Sequence, residues 1–418
     1  MKKRVLVLNC GTLDATDINM SLRYNDEFEV WGASTNLNHG SYVYEKYIDN
    51  IPNINDEKFI EILNKQIEKY DFKFILAPHE DLAVFLQAHK NEINATIVCS
   101  EYETALICRY KSKTYEKIKG YNFTPETYKR DEIKSFPVFV KKDNDQGARH
   151  AYKVQNEKEL NLYASSEDMI ICEYLPGDET TVDCFTNKEG KLLYCNPRAA
   201  DRILAGIDVH ARKIELSDEI KYIAESLNKE IKFRGYWFFQ IKKDKRGKYK
   251  LLEVATRLAG SFALNNAFDV NLPLMALKDF DGQDVEIIFN NLNVEVDKQF
   301  FSKYLLDINY NKVYIDFDSC FNKEKLVNTM FIMFLYQCLN KDKEIILLTS
   351  NSEYESTLKM KKIEKNIFSK IINIEITEEL LEKDAIFISN NEKIKNRLKK
   401  YICCFSTNAI EALLDWKA

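Results

Sequence analysis

The chain has 418 residues, 45% of them apolar, with 60 basic and 65 acidic residues and a formal net charge of -5. That length exceeds one typical core and predicts two or three units, and the apolar fraction predicts an ordinary soluble globular class. Charge so evenly mixed offers no field to a polyanion, so nucleic acid is excluded as an expected partner.

Met1-Lys2-Lys3-Arg4 opens in the manner of a secretory leader, but the apolar run at 5–8 stops at Asn9-Cys10-Gly11, far short of a leader's core. It is read as a first strand. Short β-rich runs at 28–31, 74–76 and 96–98 then alternate with helix-like segments at 57–69 and 81–89, which predicts βαβ units on a parallel sheet. From Thr124 to about Val254 the pattern changes to strands in close succession, at 138–141, 150–154, 169–172, 180–185 and 192–196. Strands at 236–242 and 249–254 bracket Asp244-Lys245-Arg246-Gly247, a turn-forming sequence that predicts a hairpin. This middle region is expected to be α+β.

Residues 281–297 read as a linker or a covering strand, and a new α/β alternation follows, with strands at 313–315, 345–348, 371–374 and 385–388. The longest apolar stretch, 330–339, is about half the length that crosses a bilayer and is expected to form a buried helix. No membrane partner is therefore expected. Ten cysteines are scattered without metal-ligand spacing, and Cys403 and Cys404 are adjacent, poor geometry for a bridge or a zinc site; a reducing cytoplasm is the expected location.

Chemistry on a nucleotide needs cations for the phosphates, a Gly-bearing loop over them and oxygen ligands for Mg²⁺. Residues 136–142 (FPVFVKK) form a strand ending in Lys141 and Lys142, followed by a polar loop, 143–149, that contains Gly147. A strand that delivers a lysine beneath a small-residue loop places ammonium and backbone N–H groups on a polyphosphate, although lysines flanking a strand are otherwise simply solvated. Residues 170–179 (IICEYLPGDE) run from an apolar strand into a Pro-Gly turn. Gln240 lies in an aromatic strand and Glu253 near the end of the next. The hairpin between them brings both oxygen-bearing side chains to one face, as Mg²⁺ bridging two phosphates requires; the alternative is one exposed polar residue per amphipathic strand.

Taken in order, these segments resemble the ATP-grasp superfamily, in the branch related to carbamoyl-phosphate synthetase and the carboxylate–amine ligases, over roughly residues 1–280. Cys108-Arg109-Tyr110-Lys111, the stretch 115–120 and Thr124-Pro125-Glu126-Thr127 are similar to the branch's "DK…G…P.T" entry segment, which implies that Lys111 reaches the nucleotide; Tyr110 stands where Asp is usual. Residues 136–142 look like the "FPvvvKP" strand, implying Lys141 on the α-phosphate and adenine, with Lys142 in place of proline. Glu173, Tyr174 and Leu175 would form the adenine hinge, Gly177-Asp178-Glu179 the "GdE" turn, and Gly147 and Glu179 would complete the ATP-binding set. The stretch 253–261 resembles "EiNpRfgGs", and the resemblance implies Gln240 and Glu253 as metal ligands. Asn196-Pro197-Arg198 with Arg202 and Gly206 resembles the "pR…R…G" segment that lines the reaction centre. Arg257, Arg198 and Arg202 are the catalytic candidates for holding an acyl phosphate or an acceptor carboxylate. Ala255 stands where an Asn that ligates a second metal is usual. Alanine cannot coordinate a cation, so either Gln240 and Glu253 suffice with water and phosphate oxygens or the second metal is weak.

The resemblance implies ATP and Mg²⁺ as cofactors and small-molecule carboxylate and amine substrates. The carboxylate is phosphorylated by ATP and the amine displaces the phosphate, so ADP and phosphate are released. A small-molecule kinase uses the same phosphate machinery without an amine site, and a nucleotide-binding protein with little turnover is the other alternative. His210, a lone histidine, reads as polar surface or as a base.

In residues 313–318 (VYIDFD), Asp316 and Asp318 end an apolar strand with one residue between them, and residues 345–350 form a second apolar strand ending in Thr349 and Ser350. Alternate strand residues share a face, so both carboxylates can approach one Mg²⁺ or phosphate. This arrangement resembles the haloacid dehalogenase (HAD) fold over roughly 310–418. It implies Asp316 as nucleophile, Asp318 as acid/base and Thr349 as a phosphate contact. Where that family usually has acidic residues after its fourth strand, 385–388 leads into Ser389-Asn390-Asn391-Glu392, and its general lysine is ambiguous among Lys361, Lys362, Lys370 and Lys383. A degenerate domain is expected. The implied fold class is a multidomain α/β and α+β chain: a pre-ATP-grasp α/β domain at 1–105, an ATP-grasp domain at 106–300 and a HAD-like α/β domain at 310–418.

Overall fold

The computed structural model describes residues 2–145, 149–204, 207–299, 302–304, 306–321, 327–415 and 417. The chain divides into two compact units, residues 1–300 and 301–418.

The first unit begins with strands β1 (Lys3–Leu8), β2 (Phe28–Ala33), β3 (Lys46–Ile48), β4 (Phe72–Leu76) and β5 (Thr96–Ile97), all parallel in the order β3-β2-β1-β4-β5. Burial on both faces explains why β1 is a continuous apolar run rather than an alternating one. Val5 and Val7 pack on one side against helix Leu13–Leu22 and against Phe262, Phe268 and Leu272 from much later in the chain. Leu6 and Leu8 pack on the other side against helix Phe59–Tyr70, through Phe59, Leu63 and Ile67. Those three are spaced by four residues, one stripe of a helix, and the helix stops at Asp71 in the left-handed conformation (φ 55°). The short β3 was not foreseen, because Lys46-Tyr47-Ile48 has no apolar run to mark it.

Two antiparallel sheets follow. The first contains β6 (Thr127–Tyr128), β7 (Val138–Lys142), β8 (Ala151–Val154) and β9 (Met169–Glu173) in the order β6-β9-β7-β8. The second contains β10 (Glu179–Thr186), β11 (Leu192–Leu204), β12 (Ile207–Lys213), β13 (Gly235–Lys243), β14 (Tyr249–Ala255) and β15 (Glu295–Asp297) in the order β14-β13-β10-β11-β12-β15. The β13–β14 hairpin forms at the foreseen place. Asp244 Oδ1 accepts from the backbone N–H groups of Arg246 (2.8 Å) and Lys248 (2.9 Å), and Gly247 takes the positive φ of 77° that the turn requires. Strand β11 runs eight residues beyond the expected end at Asn196, and β12 pairs with it. Pro197 and the charged residues after it carry no apolar run to mark that extension. The covering strand foreseen within 281–297 is β15, which pairs with β12 at the sheet edge.

The second unit has β16 (Lys312–Asp316), β17 (Glu344–Thr349), β18 (Lys370–Asn373), β19 (Ala385–Ile388) and β20 (Cys403–Phe405), all parallel in the order β18-β17-β16-β19-β20. The apolar stretch 330–339 forms helix Thr329–Asn340, capped by Asn328, whose side chain accepts from Phe331 N at 3.0 Å. Its expected full burial is corrected. Phe331, Phe334, Leu335 and Cys338 are buried, while Met330, Met333 and Tyr336 are 39%, 41% and 51% exposed. Only one face meets this unit's sheet. Among the described residues no helix is long and apolar enough to cross a membrane, and all ten cysteines are free thiols.

Candidate functional site

The first unit contains a cavity of about 600 Å³, with walls from three sources. Residues of β7, β8 and β9 supply Phe139, Lys141, Ala151, Cys172 and Glu173; β10, β13 and β14 supply Thr181, Phe238, Gln240 and Glu253; and the turns after β1 and β4, with the first turns of the helices that follow them, supply Thr12, Asp14, His79 and Asp81. Alternate residues of a strand share a face, so Phe238 and Gln240 of β13 line the cavity together, as do Leu251 and Glu253 of β14.

Lys141 is a buried cation there. It is 7% exposed, and its Nζ donates to Tyr115 Oη at 2.8 Å and to the Leu252 carbonyl at 3.0 Å. Both partners are neutral. Burial pushes the Lys141 ammonium below its ordinary pKa, as a desolvated charge without a carboxylate must be, and an anionic ligand would relieve that cost. Burial likewise raises Tyr115 well above the usual phenol value, so it remains a neutral acceptor for the ammonium. Lys111 reaches the other side of the same region, donating to the Asp145 carbonyl at 2.8 Å, with Glu253 Oε2 at 3.5 Å.

Gln240 and Glu253 are register partners on β13 and β14. Gln240 Nε2 donates to Glu179 Oε1 and Thr181 Oγ1, each at 3.2 Å, which leaves its Oε1 as the atom able to ligate a cation. One carboxylate and one amide oxygen on adjacent strands fit Mg²⁺, which keeps several waters and uses substrate phosphates for the rest of its octahedron. Ala255 is 1% exposed and pairs across the ladder with Phe238, adding no oxygen. Among the described residues no group of three or more His, Cys, Asp or Glu side chains is placed to hold a metal. A metal here therefore depends on the nucleotide for much of its shell.

Glu173 Oε1 accepts from Glu126 N at 2.9 Å, with Lys250 Nζ at 3.9 Å, while Tyr174 and Leu175 border the cavity beside it. Arg257 stacks over Phe238 at 5.0 Å and donates through Nε to Glu80 Oε1 at 3.0 Å. Glu80 also lies 3.7 Å from Arg109, whose Nε donates to Asp81 at 2.5 Å. These two arginines thus share one buried carboxylate.

Lys111, Lys141, Glu173, Tyr174, Leu175, Glu179, Gln240, Glu253, Arg198 and Arg257 all border this one cavity. Two of the arginines expected at the reaction centre need correction. Arg198 lies against the wall but exposes none of its side chain: its Nε donates to Asp183 at 3.0 Å and its NH1 to Ser261 at 2.6 Å, within a buried network that also holds Asn265 and Tyr194. That is a structural ion pair rather than a clamp open to substrate. Arg202 does not border the cavity; it is about half exposed and pairs with Asp297 at 2.6 Å. His210 is also elsewhere, beside Asp201 at 3.5 Å. Gly147 and Gly206 lie outside the described residues. Conversely, Asp14, His79, Asp81 and Arg109 border the cavity without having been singled out. Position after a parallel strand was the only signal for the first three, and Arg109 stood within the Cys108 to Lys111 motif.

In the second unit, Asp316 Oδ2 accepts from Ser319 Oγ and Ser389 Oγ, both at 2.6 Å. Asp318 accepts from Thr349 Oγ1 at 2.9 Å and from Ser350 N and Oγ at 3.0 Å. Asp316, Asp318 and Thr349 are therefore brought together at the carboxy ends of β16 and β17, in a cluster of hydroxyl donors.

No curated protein matches the chain. Among solved structures, the biotin carboxylase domain of Hydrogenobacter thermophilus 2-oxoglutarate carboxylase, in complex with MgADP, ADP and bicarbonate, is similar at 16% identity and a TM-score of 0.57, covering 69% of this chain and 73% of that one. N5-carboxyaminoimidazole ribonucleotide synthetase from Thermotoga maritima is similar at 16% identity and 0.55, covering 71% and 80%. An L-amino acid ligase from Bacillus licheniformis is similar at 17% identity and 0.52, covering 67% and 74%. Residues 165–300 match the family described as ATP-grasp in the biosynthetic pathway with Ter operon. The chain thus combines the fold of these enzymes with an ATP-grasp sequence pattern from β9 to β15.

Proposed function

We propose that the protein is an ATP-dependent, ADP-forming carboxylate–amine ligase that works through an acyl phosphate. The observation that carries this reading is the buried Lys141 ammonium, held among the described residues by a phenol and a carbonyl, in a cavity that also gathers Lys111, Glu253, Gln240 and Arg257. Lys141 and Lys111 would take the nucleotide phosphates, and Glu173, Tyr174 and Leu175 the adenine. Glu179 would hold Gln240 in place through the bond they share. Glu253 and Gln240 would hold Mg²⁺, which supplies charge neutralisation for the phosphoryl group. Arg257, fixed by Glu80, would bind the acyl phosphate, since a guanidinium offers two parallel donors to a phosphate or carboxylate. A carboxylate oxygen is a poor leaving group and an acyl phosphate a good one, so phosphorylation lets an amine complete the amide.

The test is incubation with ATP·Mg²⁺ and pools of amino acids and other small carboxylates and amines. ADP, phosphate and a new amide are expected; AMP as the product refutes the acyl-phosphate step. ADP with a stable phosphorylated product would establish the kinase alternative. A nucleotide-binding protein of little turnover is the second reading, favoured by the apolar Ala255 at the metal-ligand position; it predicts nucleotide-dependent stabilisation with no ADP. For the second unit we propose a HAD-like domain without phosphatase turnover, because Ser389 stands beside Asp316 where an acidic metal ligand would be needed.

A further inference from the structure

Arg257 sits in the loop 256–261 that follows β14, and an arginine clamp is only as exact as the backbone beneath it. Several side chains hold this loop. Glu80 takes Arg257 itself, and Arg198 donates to Ser261. Lys298 acts on the backbone instead: its Nζ donates to the Gly260 carbonyl at 2.6 Å. Arg257 and Gly260 both border the cavity, while Leu258 and Ala259 between them are buried. Close packing of that kind carries a displacement at Gly260 along to Arg257. Lys298 itself is not among the residues that border the cavity.

The position of Lys298 is fixed from behind. It follows β15, which pairs with β12 through Glu295, Val296 and Asp297 at the sheet edge. Its own N–H donates to the Val209 carbonyl at 2.7 Å and so extends that ladder. From there the side chain crosses to helix Leu13–Leu22, where Nζ also donates to Asp17 Oδ2. One ammonium thus joins three parts of the unit that lie far apart in sequence: the edge strand, the first helix and the loop of Arg257. The Lys298 and Asp17 side chains are 17% and 18% exposed, which separates them from a solvated surface pair of little consequence. Burial pushes the Asp17 carboxyl above its ordinary value, and Lys298 opposes that shift. The two charges are committed to each other and to the loop.

We infer that Lys298 is a positioning residue for the ligase reaction: by holding the Gly260 carbonyl it keeps Arg257 on the acyl phosphate until the amine attacks. This rests on the ligase reading above. When the hold is lost, water takes the place of the amine. Its oxygen bonds to the acyl carbon, the bond from that carbon to the phosphate oxygen breaks, and carboxylate and inorganic phosphate leave as the water's protons pass to solvent. The signature is ADP and phosphate released without amide, the side reaction that a well-ordered site suppresses.

The full chain is assayed with ATP·Mg²⁺ and the twenty common amino acids, with ADP measured by a coupled assay and amide by mass spectrometry. The parent should release about one ADP per amide and Lys298→Met about three or more, with the ATP KM and the ATP-induced rise in Tm as in the parent. Lys298→Arg should keep most of the coupling. Asp17→Asn leaves Lys298 on Gly260 and should hold the parent's ratio. The double variant Asp17→Asn/Lys298→Met, which strands no buried carboxylate, should behave as Lys298→Met does. A parent-like ratio in both Lys298→Met and the double variant overturns the inference. So does equal loss of coupling in Asp17→Asn, which would make the ion pair a prop for the fold, and so does loss of ATP stabilisation in the double variant. A parent that forms no amide with any amino acid removes the ligase reading, and the inference with it.

Discussion

The two parallel sheets of this chain have the same topology and use it differently. In both, the first strand in sequence is central and the fourth lies beside it: β3-β2-β1-β4-β5 in one unit, β18-β17-β16-β19-β20 in the other. Polar residues gather at the carboxy ends in each case. In the first unit they border a cavity of about 600 Å³, with Asp14, His79 and Asp81 among its lining residues. In the second, Asp316 and Asp318 are engaged by the hydroxyls of Ser319, Ser389, Thr349 and Ser350. Topology thus decides where polar groups collect, but whether they are available to a ligand depends on how far they satisfy one another.

The largest expected effect probes how the units bury charge. Asp183→Ala leaves the fully buried Arg198 without its carboxylate, which should cost about 3–5 kcal/mol of stability in urea unfolding. The comparable cut in the second unit, Asp316→Asn, should cost about 1 kcal/mol, because hydroxyl rotors can serve an amide oxygen as well as a carboxylate. Equal losses would break the contrast between charge-paired and hydroxyl-satisfied carboxylates.

Next in size is Lys141→Met, which keeps the aliphatic stem and removes one of the cavity's two buried ammonium groups among the described residues. ADP formation should fall about 100-fold or more, and the ATP-induced rise in Tm should disappear. If nucleotide binding survives this variant, the cavity is not where the phosphates sit. Chelation of divalent cations by EDTA should likewise bring ATP turnover to background. In the second unit, Asp316→Asn and Asp318→Asn should each leave ATP turnover within about twofold of the parent, the expectation for residues that do not line the cavity. Metal-dependent hydrolysis of p-nitrophenyl phosphate that Asp316→Asn abolishes would show this sheet to be catalytic after all.

The smallest effect is a pH dependence at the first sheet. His79 titrates below the ordinary imidazole value of 6.5 when folded, chiefly through burial. The unfolded chain therefore binds more protons in that window, and stability should fall as pH drops below 6.5 toward the folded value. His79→Gln should flatten that part of the stability profile measured by urea unfolding, and an unchanged profile would place His79 in a solvated setting instead.

The sequence by itself determined the course of the strands and several of the charged residues. Apolar runs located β1, β4, β16, β17 and β19, the Asp244 to Gly247 turn located the β13–β14 hairpin, and that hairpin made Gln240 and Glu253 neighbours. These are local properties: alternation, turn chemistry and strand register depend on residues close in the chain. Which carboxylate holds which arginine is not local. Arg198 meets Asp183 across 15 residues and Arg257 meets Glu80 across 177. Only the tertiary structure could therefore show that Arg198 is buried in the wall, that Arg202 lies outside the cavity, and that helix Thr329–Asn340 covers its sheet with one face alone. The same holds for Asp14. Nothing near Leu13 marks it, and only the folded chain brings it to the cavity lined by Lys141, Gln240 and Glu253.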